Sequence, residues 1–164
     1  MYEEAEVRAR ITSLEKKFAH QLEKSPGHWL GIDVGLGWID IVDALCTRID
    51  RELTPFERRR FRWSQIKQKW AELRAYYHLD GSLARLHVDV AGPMERLHFV
   101  AGKNDPLSTK VDAFIREAAD AASRTCEVCG APGRRSKQGG WFLVACQRHD
   151  DARSTVLPGA GEQT

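Results

Sequence analysis

LRAYYHLDGSLARLHVDVAGPMERLHF, residues 73–99, decides the fold class. Apolar and polar residues alternate with a period of two, as in strands that bury one face. Asp80-Gly81 is a two-residue hairpin signal. Pairing across it sets Leu79 opposite Ser82, Tyr77 opposite Ala84, Ala75 opposite Leu86 and Leu73 opposite Val88. A second turn at Gly92-Pro93 sets Val88 opposite Leu97 and Leu86 opposite Phe99. Together the two registers gather Leu73, Ala75, Tyr77, Leu79, Ala84, Leu86, Val88, Val90, Leu97 and Phe99 on one face. A slip of one residue in either hairpin scatters that face, so the pattern specifies the register. The expected class is α+β: an antiparallel meander of three or four strands packed on helices.

The opposite face then carries Arg74, Tyr76, His78, Arg85, His87, Asp89, Arg96 and His98. In this register His87 faces His98 and Asp89 faces Arg96. Arg74, Tyr76, His78, Arg85, His87, Arg96 and His98 are candidate partner-binding residues. The competing reading is a solvated face closed by an Asp89–Arg96 pair, and exposed pairs contribute only about 0–1 kcal/mol. A metal held by His78, His87 and His98 is disfavoured, because no carboxylate or cysteine is placed to complete it.

Upstream, Trp63, Ile66, Trp70 and Leu73 have helical spacing, so residues 61–70 read as helix or strand. Val7, Ile11, Leu14, Phe18 and Leu22 give residues 2–24 one apolar helical stripe, the inner face of a helix on its own core or a coiled-coil seam. Residues 31–37 hold Gly31, Gly35 and Gly37 but lack the lysine and Ser/Thr of a phosphate loop, and read as a loop. It feeds a helix over 38–53, striped by Trp38, Ile41, Val42, Leu45, Ile49 and Leu53. Cys46 adjoins that stripe and reads as a core thiol. Asp40 and Asp43, one turn apart, read as a solvated helix face rather than a cation site. Thr54-Pro55 has the form of a cap and first turn of a short basic helix. Downstream, Asp105-Pro106 opens a helix over 106–123 whose inner face is Leu107, Val111, Phe114, Ile115, Ala118, Ala119 and Ala122.

Beyond that helix lies CEVCGAPGRRSKQGGWFLVACQRH, residues 126–149. Cys126 and Cys129 form a C-x2-C pair; after sixteen intervening residues Cys146 and His149 form a C-x2-H pair. Two short pairs separated by a hairpin-sized gap suit a tetrahedral Cys3His zinc site. Gly139-Gly140 is the hairpin turn within the gap. A helix beginning near Cys146 distinguishes a treble-clef-like module from a zinc ribbon. Four protein ligands imply a structural Zn2+. Glu127 lies inside the C-x2-C pair, the wrong place for the acid of a zinc deaminase.

Composition sets the remaining bounds. At 42% hydrophobic and 29% charged over 164 residues, the chain fits one globular core with a small appendage. The division expected is a core domain over 1–123, a zinc module over 124–153 and a disordered tail over 154–164. No apolar run is long enough for a bilayer, and MYEEAEVRAR lacks the apolar core of a signal peptide. The expectation is a cytoplasmic protein with no membrane partner. Net charge is only +2, yet residues 51–74 hold a local basic excess.

Three segments resemble those of a group of bacterial and prophage-encoded proteins: GLGWIDIVDALC (35–46), QIKQKWAELRAYY (65–77) and CEVCGAPG…GGWFLVAC..H (126–149). That group typically shows a GW-(F/I)-D-(L/I) helix start, a VKEKFGGLRFY-like segment and this cysteine module at the C-terminus. Where it has an aromatic and two glycines, this chain has Trp70-Ala71-Glu72. The resemblance implies the zinc module and strand, turn, strand around Trp70, with a fourth strand over 62–68. It implies no activity.

No nucleophile elbow, phosphate loop or paired acid/base motif is visible. The leading expectation is a non-catalytic, zinc-stabilised protein-binding module, of the kind that serves as a toxin immunity protein or an inhibitor of a bacterial defence enzyme. The alternative is nucleic-acid binding, with Arg58, Arg59, Arg60, Arg62, Arg134, Arg135 and Lys137 as contacts, and Trp63, Trp70 and Trp141 as stacking platforms.

Overall fold

The computed structural model describes residues 4–22, 29–80, 86–91, 96–101 and 105–154, with 86–91, 96–101 and 151–154 described in backbone alone. In chain order the elements are α1 (Glu4–Lys17), β1 (Ile32–Asp33), a 3-10 turn (Leu36–Trp38), α2 (Ile39–Glu52), α3 (Pro55–Arg60), β2 (Phe61–Gln68), β3 (Leu73–Leu79), β4 (Leu86–Ala91), β5 (Arg96–Ala101), α4 (Pro106–Ala122), β6 (Arg134–Gln138), β7 (Trp141–Ala145) and α5 (Gln147–Ser154). The α+β class is as expected. The strands form three small sheets, ordered β1-β2-β3, β4-β5 and β6-β7.

Residues 61–68 are strand, and a β-bulge explains their helical spacing. Trp63 pairs with Tyr77 and Gln65 with Tyr76, so Ser64 is one residue too many. The bulge lets Phe61, Trp63 and Ile66 all turn inward. Phe61, Trp63 and Tyr77 then stack with centroids 4.8, 5.5 and 6.3 Å apart. The short parallel strand β1 adds to the outer edge of β2, with Ile32 beside Ile66.

The three-stranded meander across Asp80-Gly81 is not found. Among the described residues β3 pairs with β2 alone, so Ala75–Leu86 and Leu73–Val88 do not pair. The reason lies at Asp80. Its amide donates to the Arg60 carbonyl at 2.7 Å, and Arg60 Nε donates back to its carbonyl at 3.1 Å. These bonds extend the β2–β3 ladder by one residue, to Asp80, and tie the chain to α3. Gly81, and the second expected turn at Gly92-Pro93, lie outside the described residues.

The β4–β5 hairpin forms two residues out of the expected register. Val88 pairs with Phe99 and Leu86 with Ala101, while Asp89 faces His98 and Ala91 faces Arg96. Neither the His87–His98 nor the Asp89–Arg96 pairing exists. A two-residue shift preserves the alternation of faces, so Val88, Val90, Leu97 and Phe99 still share a side.

The core joins these layers. The first helix ends at Lys17, short of the expected 24: Val7, Ile11 and Leu14 are its inner face, and Phe18 and Leu22 are buried in the core from the turns that follow it. Lys17 Nζ lies 2.7 Å from Asp43 Oδ1, and Arg10 pairs with Asp40, so both aspartates serve α1–α2 contacts. Buried Gln21 accepts from Trp63 Nε1 at 2.9 Å and donates to the Cys46 carbonyl and Asp50. Cys46 is a buried core thiol, its pKa pushed up to about 12 chiefly by burial. From β3, Tyr77 Oη donates to Asp112 of α4 at 2.6 Å. Asp105 caps α4 and Thr54 caps α3, each accepting a backbone amide as expected.

Candidate metal centre and the surface beside it

Cys126, Cys129, Cys146 and His149 come together with their ligand atoms within 4.8 Å of one another. Cys129 Sγ and Cys146 Sγ are 3.8 Å apart, far beyond a disulfide. His149 Nδ1 lies 3.2 Å from Cys146 Sγ and 3.5 Å from Cys126 Sγ. Such separations are those between corners of a tetrahedron round one ion. The four side chains could hold a metal.

Local structure delivers each ligand. The Gly130 amide returns to the Cys126 carbonyl at 2.9 Å, and Gly130 takes a positive φ of 78°, closing the C-x2-C turn. The β6–β7 hairpin turns at Gly139-Gly140 and brings the chain back to Cys146. The His149 and Asp150 amides donate to the Cys146 carbonyl, beginning α5. Burial pushes the Cys129 thiol up, whereas the His149 amide, at the start of α5, holds the Cys146 thiol below its usual range. Asp150 is held below the usual carboxylate range by hydrogen bonds from Ser136 and Gln138 of β6. That contact fastens α5 to the hairpin.

The centre is seated on the glycine-rich loop. The Gly37 amide donates to the Glu127 carbonyl at 2.9 Å, and buried Trp38 donates from Nε1 to the Thr125 carbonyl at 2.7 Å. A Cβ at Gly37 would stand 2.1 Å from the Cys126 carbonyl oxygen; one at Gly35 would stand 2.1 Å from that of Glu127. Sequence reasoning found the glycines but not their role, because close backbone approach leaves no mark except the missing side chain.

The expected partner-binding face is not one sheet face. Arg74, Tyr76 and His78 lie on β3, while His87, Arg96 and His98 lie on the separate β4–β5 hairpin, where side chains are outside the description. Arg85 is outside the described residues. The Arg74 side chain is only 13% exposed and lies 3.2 Å from Glu72. His78 meets Ser64 at 3.3 Å and Asp80 at 3.8 Å.

The candidate nucleic-acid residues divide into two clusters. Arg58, Arg59 and Arg60 are on α3. Arg60 is bound to Asp105 at 2.7 Å, and Arg62 donates to the carbonyls of Arg58, Arg59 and Phe61, capping that helix. Arg134, Arg135 and Lys137 are on β6, at the other end of β2, about 20 Å away by strand rise. Trp63 is wholly buried and cannot stack a base. Trp70 and Trp141 are 38% and 79% exposed.

A basic junction was missed in the sequence. Gln68 Nε2 donates to the Phe142 carbonyl at 2.7 Å, joining the tip of β2–β3 to β7. Lys67 and Lys69 are the chain neighbours of Gln68, with their ammonium groups over the Tyr76 and Trp70 rings. Across the contact, Arg135 and Lys137 lie 4.8 and 5.4 Å from the Phe142 ring centroid. The signal was there: Lys67 and Lys69 alternate with Gln68 as neighbours on a strand do. It went unused while that segment read equally as helix.

Between α2 and α4 a groove of about 360 Å3 is lined by Ile41, Leu45 and Phe114, and its Arg48 is paired with Glu117. Among the described residues, no helix is long and apolar enough to cross a membrane. Compared with protein-family models, curated proteins and solved structures, the chain matches none.

Proposed function

We propose that this chain is a non-catalytic nucleic-acid-binding module whose C-terminal segment is closed by one structural zinc ion. Zn–S bonds of about 2.3 Å and Zn–N bonds of about 2.0–2.1 Å give tetrahedral edges near 3.8 Å for S···S and near 3.5 Å for S···N. The 3.8 Å between Cys129 and Cys146 and the 3.5 Å between Cys126 and His149 support that ion. Four protein ligands leave it no open position for water or substrate. The order of C-x2-C turn, hairpin and helix, with two ligands at the helix start, favours the treble-clef-like form over a ribbon. The resemblance to prophage-encoded proteins belongs to this proposal, and the β2–β3 turn at Trp70-Ala71 is consistent with it.

The observation that carries the nucleic-acid reading is the basic junction. Lys67 and Lys69 neighbour Gln68 in the chain, Arg135 and Lys137 lie against the Phe142 ring to whose carbonyl Gln68 bonds, and among the described residues none of the four is ion-paired. The carboxylates near these four cations include Asp33, beside Lys67 in the β1–β2 register, Glu72, held by Arg74, and Asp150, bonded to Ser136 and Gln138 on either side of Lys137. Local cation density of this kind attracts a polyanion even where net charge is small.

A protein partner, such as the target of an immunity protein or inhibitor, is the second reading. Its support is Arg74 beside Tyr76 on β3, residue types favoured as interface anchors. Affinity capture of the tagged, metal-loaded protein from its host's lysate separates the two, with and without nuclease. The expected result is recovered nucleic acid, with accompanying proteins lost on nuclease treatment. A stoichiometric protein that survives nuclease would overturn the nucleic-acid reading in favour of the second.

A further inference from the structure

The turn between β2 and β3 is built from the wrong residues. Lys69 and Glu72 exchange both backbone hydrogen bonds, at 2.9 and 3.2 Å, leaving Trp70 and Ala71 as a two-residue hairpin loop. Their φ angles are 56° and 64°. Such loops favour Asn-Gly or Gly-Gly, because two successive residues must enter the left-handed region. A bulky tryptophan there is strained, and strain of this kind persists where the surrounding structure imposes it, often at functional sites. Ala71 repays part of it by burying its methyl. Trp70 does not: the residue remains 38% exposed.

Two cations border that ring, with Lys69 Nζ at 4.8 Å and the Arg74 guanidinium carbon at 5.6 Å from its centroid. Lys67 Nζ lies 5.4 Å from the Tyr76 ring. Two residues before Trp70, Gln68 binds the Phe142 carbonyl, and the residue preceding Phe142 is Trp141, 79% exposed beside the Gly139-Gly140 turn. Two hairpin tips therefore meet. Each presents an exposed tryptophan with a lysine close in the chain or register: Lys69 next to Trp70, and Lys137 opposite Phe142, the neighbour of Trp141.

From this meeting of exposed rings and cations we infer that Trp70 and Trp141 are stacking platforms for the bases of single-stranded nucleic acid, with Lys67, Lys69, Arg135 and Lys137 holding its phosphates. Single strands are the fitting class because only unpaired bases offer their faces to a protruding indole, whereas a duplex offers phosphates and groove edges. The inference rests on the nucleic-acid reading above and deepens it. Aromatic side chains among cations are the usual chemistry of sequence-tolerant strand binding.

The test uses fluorescence anisotropy of labelled oligothymidylate and oligouridylate on the full-length, metal-loaded protein, with a duplex of equal length as comparison. The expected result is binding of the single strands in preference to the duplex, weakening steeply with added salt. Trp141→Ala and Trp70→Gly should each lower affinity about tenfold. Trp70→Gly should also raise the melting temperature, because glycine relieves the left-handed strain. Loss of binding in a more stable protein separates a binding role from a structural one. If the wild type binds neither oligomer, nucleic-acid binding itself is wrong. If it binds one and both tryptophan variants bind equally well, the charge reading stands and the stacking site is wrong.

Discussion

Gly37 is where one hydrogen atom in place of a methyl group decides whether the metal centre can dock. Its φ is not in the left-handed region, so the requirement is space rather than backbone conformation. A Cβ would stand 2.1 Å from the Cys126 carbonyl oxygen, 2.3 Å from the Gly130 nitrogen and 2.9 Å from the Cys129 nitrogen. All three are backbone atoms of the turn that presents two ligands, so no side-chain rotation can relieve the clash. Gly37→Ala is predicted to destabilise the protein by about 3 kcal/mol, the upper end for overpacking. Metal affinity should weaken as well, because the displaced atoms position Cys126 and Cys129. Thermal unfolding, with a chromophoric chelator competing for the ion, measures both quantities. Unchanged values would mean that the loop and the metal turn separate freely.

Two short elements show what the sequence could and could not reveal. The helix α3 was legible because its signal is local. Thr54 accepts from the Glu57 amide, the Glu57 carboxylate accepts from the Thr54 amide at 2.7 Å, and Pro55 follows the cap. Thr54→Ala is predicted to cost about 1 kcal/mol. The Glu57 pKa is lowered, first by the Thr54 amide. A carboxyl held lower in the folded state than in the unfolded one adds stability above its unfolded pKa. That contribution disappears as pH falls through the folded value. Denaturant titrations across the acid range should therefore show Glu57→Gln and wild type converging at low pH and separating at neutral pH. A constant gap would mean that the carboxylate charge has no part in the cap. The strand β2 was harder to see, because Ser64 as a bulge residue turns a period of two into a helical-looking step from Trp63 to Ile66. The Asp80-Gly81 turn misled for the opposite reason. Its local signal was strong, and the tertiary bonds between Asp80 and Arg60 overrode it. The ligand set, by contrast, was readable in full from spacing, since chelation fixes both residue type and interval.

At the scale of the whole molecule, the metal module depends on two supports. Among the described residues from Cys126 to Asp150, few side chains are fully buried, chiefly those of Cys126, Leu143, Val144 and Ala145. Segments with so little core need a metal to remain folded. The other support is the seam to the main core, where Trp38 and Gly37 bond the backbone of Thr125 and Glu127, and where Val144 joins the principal cluster. Cys46 sits in that principal cluster, away from the ligands, with its thiol pKa pushed up to about 12 by burial. Removal of the metal should thus act in two stages, which the four free thiols report. In the metal-loaded protein, alkylation followed by mass spectrometry should find none of them modified rapidly. A strong chelator should expose Cys126, Cys129 and Cys146 together, with Cys46 reacting only when denaturant unfolds the core. Zinc at about 1,000 times its Kd adds about 4 kcal/mol of stability. For a chain of this size its removal should lower the melting temperature by about 8–16 °C. Reaction of all four thiols at once on chelation would show that module and core unfold as one unit. An unchanged melting temperature would show that the seam alone holds the module and that the ion contributes nothing to the fold.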